Sequence, residues 1–531
     1  MKRPTVAAAL CGLALAASIA LPAHAKTLRW ASQGDPQTAD PHSQNEGLTN
    51  MFSEAVHDRL VMRDNSLKPI PGLATSWTQT GPTTWRFNLR RDVRFHDGSP
   101  FTADDVVFTF ERASHQNSQL RQYAIPVVGK PRKIDDFTVE FVQERPNPIM
   151  LEHLAAIYVM SKTWAEKHKV TTPLDFKNKE ETHASRNANG TGAWILVSRE
   201  PGVKTVLRRN PDWWGAKDGR APGNVTDVVY TQVSADTTRT AALLSNQVDF
   251  VLDPPPQDLR RLEDNASTKV VRGQENRVVF FGFDQFRDEL LYSNIKGKNP
   301  FKDLRVRQAV YHAIDIEAIR SRTMRGSALP TGGITPSILG SHPDAEKRLP
   351  YDQDRARKLL TDAGYPNGFD VTLDCPNNRY VNDEEICIAV AAMLTRVGIN
   401  TKVTAMPRAT YFPKLEKFDT SFYMLGWGGA VTDAQTTLSP VLRSLDKASG
   451  QGGFNYGRYT NPRLDALIDT AATEMNPEKR REIIRQALLE HNGQVHHVPL
   501  HRQMIPWAMR QNVTVVHRAD NVLIFEYVKI D

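Results

Sequence analysis

Cysteine is almost missing from this chain: there are three in 531 residues, against 33 Pro, 31 Gly and 9 Trp. A small disulfide-framed scaffold is therefore excluded, and a chain of this length can build two to four domain cores from apolar packing alone. After the N-terminus no run approaches the ~18 uninterrupted apolar residues that a membrane helix needs. An excess of charge of one sign is also lacking, with 67 Lys+Arg against 60 Asp+Glu for a net +7. The basic residues are dispersed among acids and form no patch, so no nucleic-acid partner is expected. No repeat of 20–50 residues recurs, which removes solenoids and propellers. Missing too are the phosphate-binding loop G-x-x-x-x-G-K-[ST], the G-x-S-x-G nucleophile elbow, the H-E-x-x-H zinc helix and the G-x-G-x-x-G turn. Their absence removes the common routes to an enzyme without excluding one.

What is present begins with a leader. Lys2 and Arg3 precede an apolar stretch from Val6 to Leu21, and Ala23-His24-Ala25 has the small-x-small form of a cleavage site. Residues 1–25 thus read as a secretory signal peptide cut after Ala25. Leu10 before Cys11 does not suit a lipoprotein site. Export leaves Cys375 and Cys387 in an oxidising compartment, either joined from a strand end to the following helix or buried as two thiols.

Short alternating strands are interleaved with amphipathic helices, the pattern of α/β layers. Trp85, Phe87 and Leu89 alternate with Arg86, Asn88 and Arg90, as in a half-buried strand. Thr102 with Asp105 opens a helix by a capping box, Asp303 opens another, and Asn476-Pro477 supplies an N-cap followed by Pro at the first helical position. Asn187 to Gly192 reads as a polar loop.

Three places invite a chemical reading. His491, His496, His497 and His501 cluster near the C-terminus, but their spacing fits no zinc pattern, and a structural role is expected for most of them, with no metal site. Gly426-Trp427-Gly428-Gly429 flanks an indole with residues that leave the backbone open, which suits either a binding surface or a tight turn around a core Trp. Arg379, in the polar run Asn377–Tyr380 after a strand, is either a grip for a carboxylate or a solvated surface side chain.

Five stretches together carry a resemblance. They are Gly72-Leu73-Ala74 through Trp77, Trp85–Arg90, Arg94–Gly98 and Phe101–Val106; Gly190-Thr191-Gly192 with Arg209-Asn210-Pro211 and Trp213-Trp214-Gly215; Gln247–Phe250; Arg305–Val310 with Ala313-Ile314-Asp315; and Gly426-Trp427 with Tyr456, Tyr459 and Asn461-Pro462. In this order they resemble the family 5 solute-binding proteins of ABC importers, the dipeptide-, oligopeptide-, glutathione- and nickel-binding group. The resemblance implies an α/β, two-lobed periplasmic binding protein fold of the class II, cluster C type with an additional small domain. Residues 26–69, 191–285 and 500–531 would form lobe I, 70–190 the small domain and 286–499 lobe II, with hinge segments near Phe283 and Leu500.

The function implied is that of a periplasmic protein, non-enzymatic and monomeric, that needs no cofactor. It would capture a peptide-like small molecule and hand it to an ABC permease and ATPase in the inner membrane. A secreted hydrolase with a cryptic site, or the same fold used for sensing, are the alternatives. Ligand contacts are expected from Arg379, Trp427, Gly428, Gly429 and Asp433. Where peptide-binding members carry an Asp for the ligand's α-ammonium, this chain has Ala430, with Asp433 the nearest carboxylate. Arg379 falls where the dipeptide-binding member has an Arg for the ligand's carboxylate. The resemblance therefore implies a ligand with an acidic group and without a conventionally bound α-amine.

Overall fold

The computed structural model describes residues 25–121, 123–124, 129–335, 340–428 and 432–531. The expected leader, apart from Ala25, lies outside the described residues.

Strand β1 (Thr27–Ser32) starts the main sheet. Helix α1 (Gly47–Val56) follows and buries Leu48, Met51, Phe52 and Ala55, one face at the spacing of a single helical stripe. A separate four-stranded antiparallel sheet is then built from β2 (Ala74–Gly81), β3 (Thr84–Leu89), β4 (Lys130–Asp135) and β5 (Thr138–Val142), in the order β2-β3-β5-β4. The alternation through Phe87 and Leu89 points those two side chains inward, as the sequence implies. Helix α2 (Ala103–Ala113) packs on this sheet through Phe110, whose ring lies edge-on to Phe141 at 5.0 Å. Its first turn is closed by the Thr102 N–H, which donates to Asp105 at 2.9 Å.

The chain returns to the main sheet with β6 (Trp194–Glu200), β7 (Lys204–Arg209), β8 (Asp227–Gln232) and β9 (Phe250–Val251). Two of the sequence motifs find their physical reason here. Asp249 accepts from the Arg29 N–H and guanidinium, tying β1 to the entrance of β9. Asp58 accepts from the indoles of Trp213 and Trp214 and from the Thr191 hydroxyl, and burial raises its carboxyl to about 6. Gly190 and Gly192 lie directly on the backbone of α1 at Ala55 and Val56, where no side chain fits.

Two long strands then dominate. Strand β10 (Thr268–Phe283) pairs antiparallel, almost end to end, with β15 (His497–Arg510). Between them in sequence lies the second half of the molecule. It comprises α3 (Leu304–Ala313), β11 (Ala328–Pro330), α4 (Gln353–Asp362), β12 (Phe369–Pro376), α5 (Asp383–Thr395), β13 (Ile399–Met406), α6 (Arg408–Glu416), β14 (Phe422–Gly428), α7 (Pro462–Ala471) and α8 (Pro477–Gln494). Asp303, Asn461 and Asn476 each cap the helix that follows, accepting from Arg305, Leu464 and Glu478 N–H groups respectively.

The main sheet runs β13-β12-β14-β10-β15-β9-β1-β8-β7-β6, with β11 added to β15. Strands β12 and β13 are parallel and joined by α5, whereas β14 is antiparallel to β10. The apolar interior divides at the β10–β15 pair. One cluster draws on Leu28 through Leu252 and Trp507 through Val528, and it is continuous with the core of the four-stranded sheet. Two others lie wholly within Val278–Leu500. The molecule thus has two lobes on one sheet.

Cys375, at the end of β12, and Cys387, in the first half of α5, form a disulfide with their Cα atoms 6.7 Å apart. The short loop it closes carries Asn378, Arg379 and Tyr380. Reducing it, or replacing both residues by Ser, is expected to lower the unfolding free energy by about 3 kcal/mol, the loop-closure entropy for a ring of this size. Chemical denaturation with and without reductant measures this, and coincident curves would contradict it.

Candidate functional site

Strand β10 crosses between the lobes, and its pairing with β15 breaks register there. Pairing with β15 shifts between Gln274 and Val278, so Glu275, Asn276 and Arg277 bulge from the ladder. Bulges re-aim side chains, and the Glu275, Asn276 and Arg277 side chains are buried here. Glu275 accepts from Arg277 at 2.8 Å and from Gln503 at 2.7 Å. Gln503 in turn accepts from the Val381 N–H at 3.0 Å, so the crossing strands hold the loop after β12.

That loop presents Arg379. Asp383, in the first turn of α5, accepts from the backbone N–H groups of Arg379 and Tyr380 at 2.8 and 3.0 Å. These bonds fix the loop, and burial raises the Asp383 carboxyl to about 6. The Arg379 guanidinium lies 5.1 Å from the centre of the Tyr380 ring. Burial, together with the neighbouring Arg277, pulls its pKa below the ordinary value. Among the described residues no carboxylate pairs with it. A half-buried guanidinium beside a second cation gains most from an anion brought by something else.

Tyr380 packs across Gly426, whose N–H donates to the phenol oxygen at 2.7 Å. Gly428 lies against the backbone of Asn276 and Arg277. The glycines around Trp427 therefore admit close protein neighbours, a ring on one side and a strand on the other. Trp427 itself is half-buried, donates its indole N–H to the Thr436 carbonyl at 2.8 Å and packs on Phe454. Gly429 and Ala430 lie outside the described residues. Asp433 has both oxygens engaged by Arg480, at 2.6 and 2.7 Å, and accepts from the Gln435 N–H. The structure thus places Arg379 and Gly426, next to Trp427, around Tyr380, and it places Asp433 in an ion pair of its own.

Sequence reasoning passed over three residues here. Tyr380 stood next to Arg379 in a segment already singled out, and only its contact with Gly426 gives it a role. Glu46 and Arg408, on opposite lobes, meet at 2.7 Å, 362 residues apart. No local pattern signals such a pair.

The four C-terminal histidines are buried. His491 and His497 share a hydrogen bond at 2.9 Å, and His496 bonds to Gln285 while stacking on Tyr459. Among the described residues no group of three His, Cys, Asp or Glu is arranged to hold a metal ion.

Similarity to known proteins gives the class. An ABC transporter-associated periplasmic binding protein from Helicobacter pylori, solved with the peptide STSA, superimposes with a TM-score of 0.83 over 95% of this chain and 98% of its own, at 21% identity. The fold is that of the two-lobed periplasmic binding proteins. The family model for bacterial extracellular solute-binding proteins, family 5, matches residues 68–449, and the chain belongs to that family. The dipeptide-binding protein of Escherichia coli is 26% identical over 90% of this chain and 89% of its own length. Heme-binding protein A of Haemophilus influenzae is also 26% identical, over 85% and 82%. Relatives at equal distance thus carry the names of different ligands, and overall similarity does not select one.

Burial lowers the histidines at 42, 153, 491 and 501 to about 4 and His57 to about 3, and it also depresses His496 and His497. A depressed histidine contributes stability above its unfolded pKa of about 6.5, and that stability is lost as pH falls toward the folded value. Asp58, Asp383 and Glu526, raised to about 6, 6 and 7, act in the opposite sense but are fewer. Stability is therefore expected to fall between about pH 6.5 and 4.5, by up to ~1.4 kcal/mol per pH unit for each net group. Denaturation across that range tests this, and a rise in stability on acidification would contradict it.

Proposed function

We propose that the protein is the periplasmic solute-binding component of an ABC importer. It captures a peptide-like small molecule bearing an acidic group between its lobes and delivers it to a permease and ATPase in the inner membrane. It acts as a monomer, without catalysis, after removal of residues 1–25. Residues 26–69, 191–285 and 500–531 form lobe I, 70–190 a small accessory domain and 286–499 lobe II, with the β10–β15 pair as hinge. A cleft between hinged lobes suits this role, because a solute touching both sides favours the closed shape that a transporter can recognise.

The observation that carries the reading is the Arg379 guanidinium, half-buried beside Arg277 and without a carboxylate partner among the described residues. Arg379 takes the solute's acidic group, and the Trp427-Gly428-Gly429 segment supplies an apolar face and backbone groups. Asp433, held by Arg480, shapes the end of that segment. The carboxylates around the cleft are committed: Glu46 to Arg408, Glu275 to Arg277, Asp433 to Arg480 and Asp383 to backbone N–H groups. An α-ammonium group would have to displace one of these cations or remain unpaired, at a cost of several kcal/mol.

Three measurements test this. A thermal-shift screen of peptides, N-blocked peptides, opine-like conjugates and metal chelates identifies the solute, since a ligand at 100 times its Kd stabilises by about 2.7 kcal/mol. For that solute Arg379→Ala is expected to raise Kd by at least tenfold, about 1.5 kcal/mol for a charge-assisted bond; an unchanged Kd removes Arg379 from the site. Calorimetry of simple dipeptides with free amines is expected to give no binding tighter than ~100 μM. Micromolar affinity for them would overturn the reading of the charges.

A further inference from the structure

Among the described residues one ion pair joins the two lobes away from the crossing strands. The Glu46 carboxylate accepts from the Arg408 guanidinium at 2.7 Å, with the two side chains only 12% and 16% exposed. Each partner is fixed on its own side. Glu46 is the N-cap of α1, and its other oxygen accepts from the Leu48 and Thr49 N–H groups at 3.0 and 3.3 Å. Arg408 is the first residue of α6, and its own N–H donates to Asn378 at 2.8 Å, next to Arg379 in the same loop. Gly34 adds a cradle on the first lobe: a Cβ there would occupy the place of the Arg408 guanidinium. A second bond runs in parallel, from the Thr432 hydroxyl to Glu152 at 2.8 Å.

We propose that Glu46 and Arg408 are positioning residues for solute capture, a latch that holds the lobes closed over the cleft. A charge pair shielded from water attracts more strongly than one at the surface, and it exists only while the lobes are together. Because Asn378 ties Arg408 to the loop of Arg379, the side chain that closes the cleft and the one that faces the solute move as one piece. The latch therefore sets the population of the closed form, whatever the solute is.

Small-angle scattering of the mature protein, with no solute added, tests this. Arg408→Gln removes the pair and leaves the cap of α1 intact. Glu46→Gln removes the charge while keeping an oxygen for the Leu48 and Thr49 N–H groups. Arg408→Lys keeps the charge. Both neutral variants are expected to show a larger radius of gyration and longer interatomic vectors than wild type, with Arg408→Lys close to wild type. A purely structural role would change the melting temperature without changing the lobe separation. Should Arg408→Gln fail to fold, as judged by far-UV circular dichroism, Glu46→Gln alone decides. Superimposable scattering of wild type and the neutral variants overturns the proposal, as does Arg408→Lys behaving like Arg408→Gln.

Discussion

The pairing of Thr268–Phe283 with His497–Arg510 is the constraint on which the rest depends. Two strands hydrogen-bonded over nearly their whole length resist shear, and both lobes are anchored on them. Every other strand of the main sheet is added from this pair: β14, β12 and β13 on one side, β9, β1, β8, β7 and β6 on the other, and β11 along β15. The register break after Gln274 falls inside it, and there the ladder gives way to the Glu275–Arg277 pair and its bond to Gln503. The crossing between the lobes and this buried charge pair are therefore made from the same few residues.

Charge around the cleft is organised by pairing rather than by excess. Glu275, Glu46, Asp433 and Asp383 each have a partner within the chain, while Arg379 sits desolvated beside Arg277 without one. Placing a guanidinium this way costs free energy, which on the proposed reading an anionic solute recovers. The disulfide from Cys375 to Cys387 and the Asp383 bonds hold the loop so that the cost is not relieved by rearrangement.

Much of this was legible in the sequence wherever the physics is local. The caps at Thr102, Asp303 and Asn476 and the alternation through Phe87 and Leu89 are set by neighbours a few residues away, and the structure has them where the sequence placed them. The glycines beside Trp427 announced a close approach to the backbone. What approaches, the Tyr380 ring and the Asn276 backbone, arrives from distant segments and left no trace in the spacing. The same holds for Asp433, which offers a carboxylate in sequence and has it neutralised by Arg480 in space. The Glu46–Arg408 contact is the extreme case, since neither residue stands in a motif.

The central claim is that a solute lies between the lobes with an acidic group on Arg379. The most direct measurement is a crystal structure of the mature protein saturated with the solute found by screening. The account predicts density in the cleft, with an acidic oxygen within hydrogen-bonding distance of the Arg379 guanidinium and the two lobes closed around it. Density outside the cleft, or a solute whose polar groups leave Arg379 untouched, would contradict it.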